Sequence, residues 1–373
     1  MQNIVNEYDY LIHLVRCAIH NLQPQELPEG LKFERVFEYG KYHQVANIAF
    51  YSLEKVQKKP DSALYSQWQA YRDQTVMCDI TQSYAAQEIR QALQDRGIRW
   101  VEVQGTKIKP LYPQPDFRTM SDMDFIIDEE NIPKAKELLE DLGYVCETVY
   151  QVELNGDRPP NTYVEMHTEY FLEDCPYRPI LNSPFDHVDE QGESLPNVFY
   201  LYNILHIAKH YFFSGCGIRR VLDVYYLNQA YAQSAQDPEV KKILEQAELT
   251  EFVAEFDRLA QVWFGLEEQA FPRSKMVCFI LNAGIHGSFY NEQQKFVETT
   301  FHNTGRFARF KYYLTRLIGT REDLITRYPV LQKNKILYPF CWLHRIFCIL
   351  TPKRYKRIRQ EMQIVKKMEN DKK

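Results

Sequence analysis

The chain has 373 residues and a mass of 44.4 kDa, with 45% hydrophobic and 25% charged residues. That length and balance exclude a disordered, collagenous or disulfide-stapled chain and allow two or three domains. Net charge is −5, which argues against a surface built wholly for a polyanion, although residues 351–373 hold nine Lys/Arg against three acids. Eight cysteines are scattered with no Cys-x-x-Cys pair, so a zinc ribbon or a thioredoxin-type site has no support. The opening stretch carries Glu7, Asp9, His13 and Arg16 and does not read as a secretory leader. No run of 18 apolar residues occurs, so no membrane-spanning helix is expected. These features read as a cytoplasmic protein.

Apolar residues at helical spacing predict helices over 4–20, 33–57 and 62–96, the last stopped by Gly97. The texture then changes. Residues 98–104 alternate and are rich in β-branched and aromatic types, which predicts a strand. A short helix is expected over 106–112, a strand over 120–128 and a helix over 131–142. A third strand over 144–154, a turn at Asn155-Gly156-Asp157 and a fourth strand over 161–170 complete a small α/β unit. A polar loop spans 173–196. Helices follow over 197–213, 217–235, 238–247 and 249–264, with more to about 320. The expected organisation is an N-terminal helical region (1–97), a sheet domain (98–172), a C-terminal helical domain (173–330) and an apolar segment with a basic tail (331–373).

The chemistry concentrates around Asp122 and Asp124. Two apart on a strand, they point to one face. Carboxylates held that close repel one another unless a cation lies between them. Carboxylate oxygen is the preferred ligand of Mg²⁺, with Mn²⁺ as the alternative. Glu165, on the fourth predicted strand, supplies a third carboxylate, with Glu102 and Glu169 as competitors. Three such groups suit a two-metal site for in-line attack at phosphorus. Gly105 and Thr106 open the short helix after the first strand, where backbone N–H groups can hold phosphate oxygens. Lys107, Lys109, Arg118 and Lys209 are candidate phosphate contacts, set against the alternative of ordinary surface or ion-pair roles. His206 and His210 share one helix face, which fits packing or metal ligation. Arg219, Arg220 and Asp223 read as an ion network, with a phosphate role for either arginine as the alternative. His167 shares a face with Glu165 and is a candidate for substrate contact or for support of the metal. His43 reads as structural.

The order strand, Gly turn, helix, Asp-x-Asp strand and third-acid strand resembles the DNA polymerase β-like nucleotidyltransferase superfamily. More narrowly, the chain resembles a bacterial family of uncharacterised nucleotidyltransferases often associated with polysaccharide biosynthesis loci. The matching residues are Gly105, Leu111-Tyr112, Pro113/Pro115, Arg118, Asp122-Met123-Asp124, Glu165-Met166-His167, and His206, His210 and Asp223. Arg327-Tyr-Pro-Val-Leu331 and Leu337-Tyr-Pro resemble family members as well. The turn departs from the usual Gly-Ser or Lys-Gly and reads Gln104-Gly105-Thr106. The resemblance implies an α+β fold with a small mixed-sheet palm between helical regions. It also implies transfer of an NMP group from an NTP such as ATP to a hydroxyl acceptor, with release of pyrophosphate.

Two rivals stand beside that expectation. One is a metal-dependent hydrolase built on His206, His210 and Asp223. The other is an inactive nucleotide-binding scaffold. Residues 336–350 hold twelve apolar residues, too few to span a bilayer. With the basic tail they read as a buried helix with a frayed end or as a peripheral membrane contact through 336–373. Nucleic acid is a less favoured partner for the tail.

Overall fold

A computed structural model describes residues 4–149, 153–172, 175–189, 192–267, 269–285, 287, 331 and 337–349. Helix α1 (Glu7–Ile19) starts at Asn6, whose side chain accepts from the Asp9 N–H. The single helix expected over 33–57 is two, α2 (Phe33–Tyr42) and α3 (Ala46–Leu53). They break at Gln44, which sits at φ +54°. Their crossing is close: a Cβ on Gly40 would lie 2.9 Å from that of Ala46. Helix α4 (Ser62–Asp95) is capped by Asp61, which accepts from Ala63 and Leu64 N–H. At 34 residues it runs about 50 Å. Its first half anchors on α3, with Trp68 Nε1–H donating to the Ala46 carbonyl at 2.7 Å. Its second half turns Ala85, Ala86, Ile89 and Leu93 onto the sheet.

The sheet has five strands in the order β1-β2-β5-β4-β3. They are β1 (Trp100–Val103), β2 (Met123–Ile127), β3 (Val145–Val149), β4 (Glu153–Arg158) and β5 (Thr162–His167). Only the β2–β5 pair is parallel. Helix α5 (Gly105–Ile108) follows β1, and α6 (Ile132–Asp141) packs behind the sheet beside α4. The third strand expected over 144–154 is two strands, and Asn155-Gly156-Asp157 is no turn but part of β4. Gly156 serves close packing instead. A Cβ there would sit 3.0 Å from Val164 Cγ1 and 3.2 Å from Leu139 Cδ1. Gly156→Ala should therefore lower stability by about 1–3 kcal/mol through overpacking, read as a reduced urea midpoint at constant slope.

The two sheet faces are chemically distinct. Met123, Phe125, Ile127, Leu154, Val164 and Met166 point back into the apolar layer under α4 and α6. The alternate residues point forward, toward a second core shared by α1–α3, β1 and the C-terminal helices. Those are α7 (Pro196–Phe213), α8 (Ile218–Ala230), α9 (Ala232–Gln236), α10 (Pro238–Gln246), α11 (Thr250–Phe264) and α12 (Lys275–Ala283). Residues 1–211 and 216–286 form one compact unit. Three segments that differ in sequence texture thus meet in a common core. A second unit comprises 212–215 and 287–373, and its described helix is α13 (Tyr338–Ile349), within the apolar segment. No described helix is long and apolar enough to cross a membrane. The basic tail 351–373 and the helices expected to about 320 beyond residue 287 lie outside the described residues.

His43 fixes the start of α8. It is fully buried, and its Nδ1 accepts from the Ile218 N–H at 3.2 Å. Burial pushes its pKa down from 6.5 to about 3, with the Leu281 carbonyl working weakly against that. The unfolded chain then binds the extra proton first as pH falls. Stability is complete above pH 6.5 and declines on acidification until about pH 3. Between pH 6.5 and 5 the expected loss is about 2 kcal/mol. His43→Gln should flatten this slope in urea titrations across that range.

Candidate active site

Because β2 and β5 are parallel and in register, Asp124 lies directly beside Glu165. Both belong to the forward face, since their neighbours Met123, Phe125, Val164 and Met166 fill the rear core. His167, two residues after Glu165, joins them. Asp122 sits one residue before β2. All four line a cavity of about 320 Å³. Glu153 and Glu169 add acidic groups to it, and Tyr170, Phe171, Leu172 and Tyr202 give it an aromatic and apolar stretch. Basic and imidazole groups also line it: His206, Lys209 and His210 from α7, and Arg219 and Arg220 from α8, with Gln104, Ser121 and Ile285 completing the wall.

Like charges crowd this cavity. Burial, then the charges of Asp124 and Glu165, raise the Asp122 pKa from 3.8 to about 6, against the pull of Arg220 and Arg118. His167 responds in the opposite sense. Burial disfavours its charge, but the carboxylates of Asp124 and Glu165, each 3.5 Å from Nε2, outweigh this and lift it to about 10. The positive charge between the carboxylates is therefore, in part, the imidazolium itself. Donor atoms of Asp124, Glu165 and His167 all lie within 4.8 Å of one another, which makes them a possible metal-binding group. A divalent cation fits here: the donors converge, two are carboxylates, and the crowded negative charge asks for one. Asp122 shares the cavity but not that tight group.

The structure separates the predicted phosphate contacts. Lys209 lines the cavity and makes no ion pair among the described residues. Arg118 does not line it. It is buried on Asp223, with Nε 3.0 Å from Oδ1 and Nη2 3.2 Å from Oδ2. The expectation of a phosphate contact by Arg118 is corrected accordingly: a buried carboxylate from α8 claims its guanidinium first. Lys107 is paired with Glu193 and Lys109 with Asp79, both away from the cavity lining. Gly105 and Thr106 are buried and do not line the cavity. Gly105 is clamped so closely that a Cβ would come within 2.7 Å of Met120 Sδ. The turn residue that does reach the cavity is Gln104, held at φ +54° and ψ −122°, a conformation glycine adopts more easily. Glu102 is engaged by Arg90 at 2.9 Å.

The hydrolase set is likewise not assembled. Asp223 accepts from Arg118, from the Tyr112 hydroxyl at 2.7 Å and from Arg220 at 3.5 Å. His206 and His210 face one another, with Nε2 atoms 3.2 Å apart. Burial, then the His210 and Arg220 charges, hold His206 neutral well below its ordinary pKa. Arg219 instead donates to the Thr119 carbonyl and hydroxyl at 2.7 Å and to Gln44. Its Nε and that of Arg220 are buried without a hydrogen-bond partner. Ser121, Glu153 and Tyr202 were not singled out from sequence. Of these, only Ser121, next to Asp122, carried a positional signal.

A mixed five-stranded sheet with acids on adjacent forward-facing strands, set among helices, is the α+β architecture of a nucleotidyltransferase palm. Residues 29–265 match the family model described as "Uncharacterised nucleotidyltransferase", and the chain belongs to that family. No curated protein gives a match.

Proposed function

We propose that the protein transfers an NMP group from an NTP to a hydroxyl acceptor. The observation that carries this reading is one cavity holding in-register Asp124 and Glu165, with Asp122, alongside Lys209 and the two arginines of α8. Asp122, Asp124 and Glu165 would hold Mg²⁺ or Mn²⁺. When bound, such ions neutralise the triphosphate and stabilise charge on the oxygens that attack and leave. Lys209 and Arg220 bind phosphate oxygens and hold the chain of phosphates extended. Glu165 accepts the proton of the acceptor hydroxyl. That oxygen bonds to the α-phosphorus as the bond to the bridging oxygen of pyrophosphate breaks. Tyr170 and Tyr202 limit water around the reacting atoms.

Calorimetric titration of each of the four NTPs, with and without Mg²⁺, tests the donor half of this proposal. Metal-dependent binding of at least one NTP is expected in the wild type and absent in the Asp122→Asn/Asp124→Asn double variant. Failure of all four NTPs to bind the wild type would overturn it. Binding without any pyrophosphate release across a broad acceptor pool would favour the scaffold reading.

A further inference from the structure

The imidazole of His167 occupies a position that three oxygen ligands alone would not require. Its Nε2 is 3.5 Å from Asp124 Oδ1 and 3.5 Å from Glu165 Oε2. These three residues are the group whose donor atoms converge within 4.8 Å. The other ring nitrogen, Nδ1, faces Glu153 Oε2 at 3.9 Å. That is beyond hydrogen-bond length but within ion-pair reach. A carboxylate on the far side of a histidine ring is the usual means by which proteins orient a metal-ligating imidazole and raise its basicity. The strand register supports the same geometry. Glu165 and His167 are two apart on β5, and Glu153 pairs with His167 across β4 and β5. One neighbouring pair of strands therefore presents the ligand and its orienting acid together.

We propose that His167 is a direct ligand of a divalent ion shared with Asp124 and Glu165, the ion displacing the Nε2 proton to solvent, and that this nitrogen makes the site selective for Mn²⁺ over Mg²⁺. The inference rests on the nucleotidyltransferase reading and names the metal of that site. Mg²⁺ binds oxygen donors and keeps its waters, whereas a site with an imidazole follows the order of transition-metal affinities, in which nitrogen donors favour the d-block ion. Asp122, outside the tight group, is left to serve the nucleotide side of the cavity.

The test is Mn²⁺ binding to the full chain without nucleotide, followed by electron spin resonance. Pulsed spectra report directly any ¹⁴N nucleus bound to the manganese. Wild-type protein should show one coordinated imidazole nitrogen, and His167→Gln should abolish it. Competition with Mg²⁺ should show Mn²⁺ preferred by roughly 100-fold in the wild type, with the preference reduced about tenfold or more in His167→Gln. Mn²⁺ bound with no ¹⁴N coupling, and released by Asp124→Asn, would overturn the inference and leave an all-oxygen metal site in place. A coupling that survives His167→Gln but vanishes in His206→Gln would also overturn it. If neither ion binds in an Asp124-dependent way, both this inference and the proposed function fall.

Discussion

Asp124→Asn should reduce NTP-to-pyrophosphate turnover by about 10³-fold or more, the scale of losing several kcal/mol of charge stabilisation at phosphorus. The assay follows pyrophosphate release, with a small-molecule extract supplying acceptor hydroxyls. The substitution is close to isosteric, and Asp124 is 3% exposed, so a packing explanation for the loss is weak. What changes is charge. Asparagine leaves the position filled but removes one of the negative charges that raise the Asp122 pKa. Melting temperature without metal should change little, because relief of the repulsion on Asp122 offsets the loss of one of the two carboxylates that face the His167 imidazolium. A variant with wild-type turnover would place the chemistry elsewhere. A variant that lost both turnover and melting temperature would point to a structural role.

The strand and helix alternation that frames this site was legible in the sequence, and so was the Asp122/Asp124 pair, because they depend on local pattern. Glu165 was a candidate only on condition that its strand lies beside theirs, which the β2–β5 register supplies. A period of two puts Asp122 and Asp124 on one face, and Gly97 and Gly143 stop helices where their φ values of +65° and +84° require glycine. Partnerships between distant segments were not legible. Arg118 read either as a phosphate contact or as the partner of an acid, and its sequence neighbourhood could not say which acid. Its partner, Asp223, is 105 residues away. Gly156 looked like a turn because glycine between Asn and Asp usually is one. Its reason for being glycine is the side chain of Val164 on the next strand. The break between α2 and α3 had no Pro to announce it, only a close crossing at Gly40. Glu153 escaped notice because its value lies in facing His167 across a strand pair whose boundaries the sequence pattern blurred.

The same long-range pairing makes Asp223 the position where a single change should cost the most stability. Its side chain is wholly buried and is the carboxylate partner of Arg118, with Arg220 nearby and Tyr112 donating a third contact. Asp223→Asn would leave the Arg118 guanidinium buried beside two other arginines without its counter-charge. An uncompensated buried charge of this kind costs about 3–5 kcal/mol, so the urea midpoint should fall steeply. Tyr112→Phe, which removes only one hydrogen bond to the carboxylate, should cost about 1.5–3 kcal/mol. The pair Arg118→Met with Asp223→Leu should recover most of the loss, because an apolar replacement leaves no orphaned charge. Acid should reproduce the single variant in part. Burial works to raise the Asp223 pKa, but Arg118, Arg220 and Arg219 outweigh it and hold the group below its ordinary 3.8. A depressed carboxylate contributes fully above the unfolded value and loses that contribution as pH falls through its folded one. The Asp223 contribution should thus persist to pH 4 and fade only below it, a window separate from the His43 slope that begins at pH 6.5. Asp223 also contacts Arg220, which lines the cavity. If Arg220 meets the phosphates as proposed, the apolar pair should recover stability without recovering nucleotide affinity.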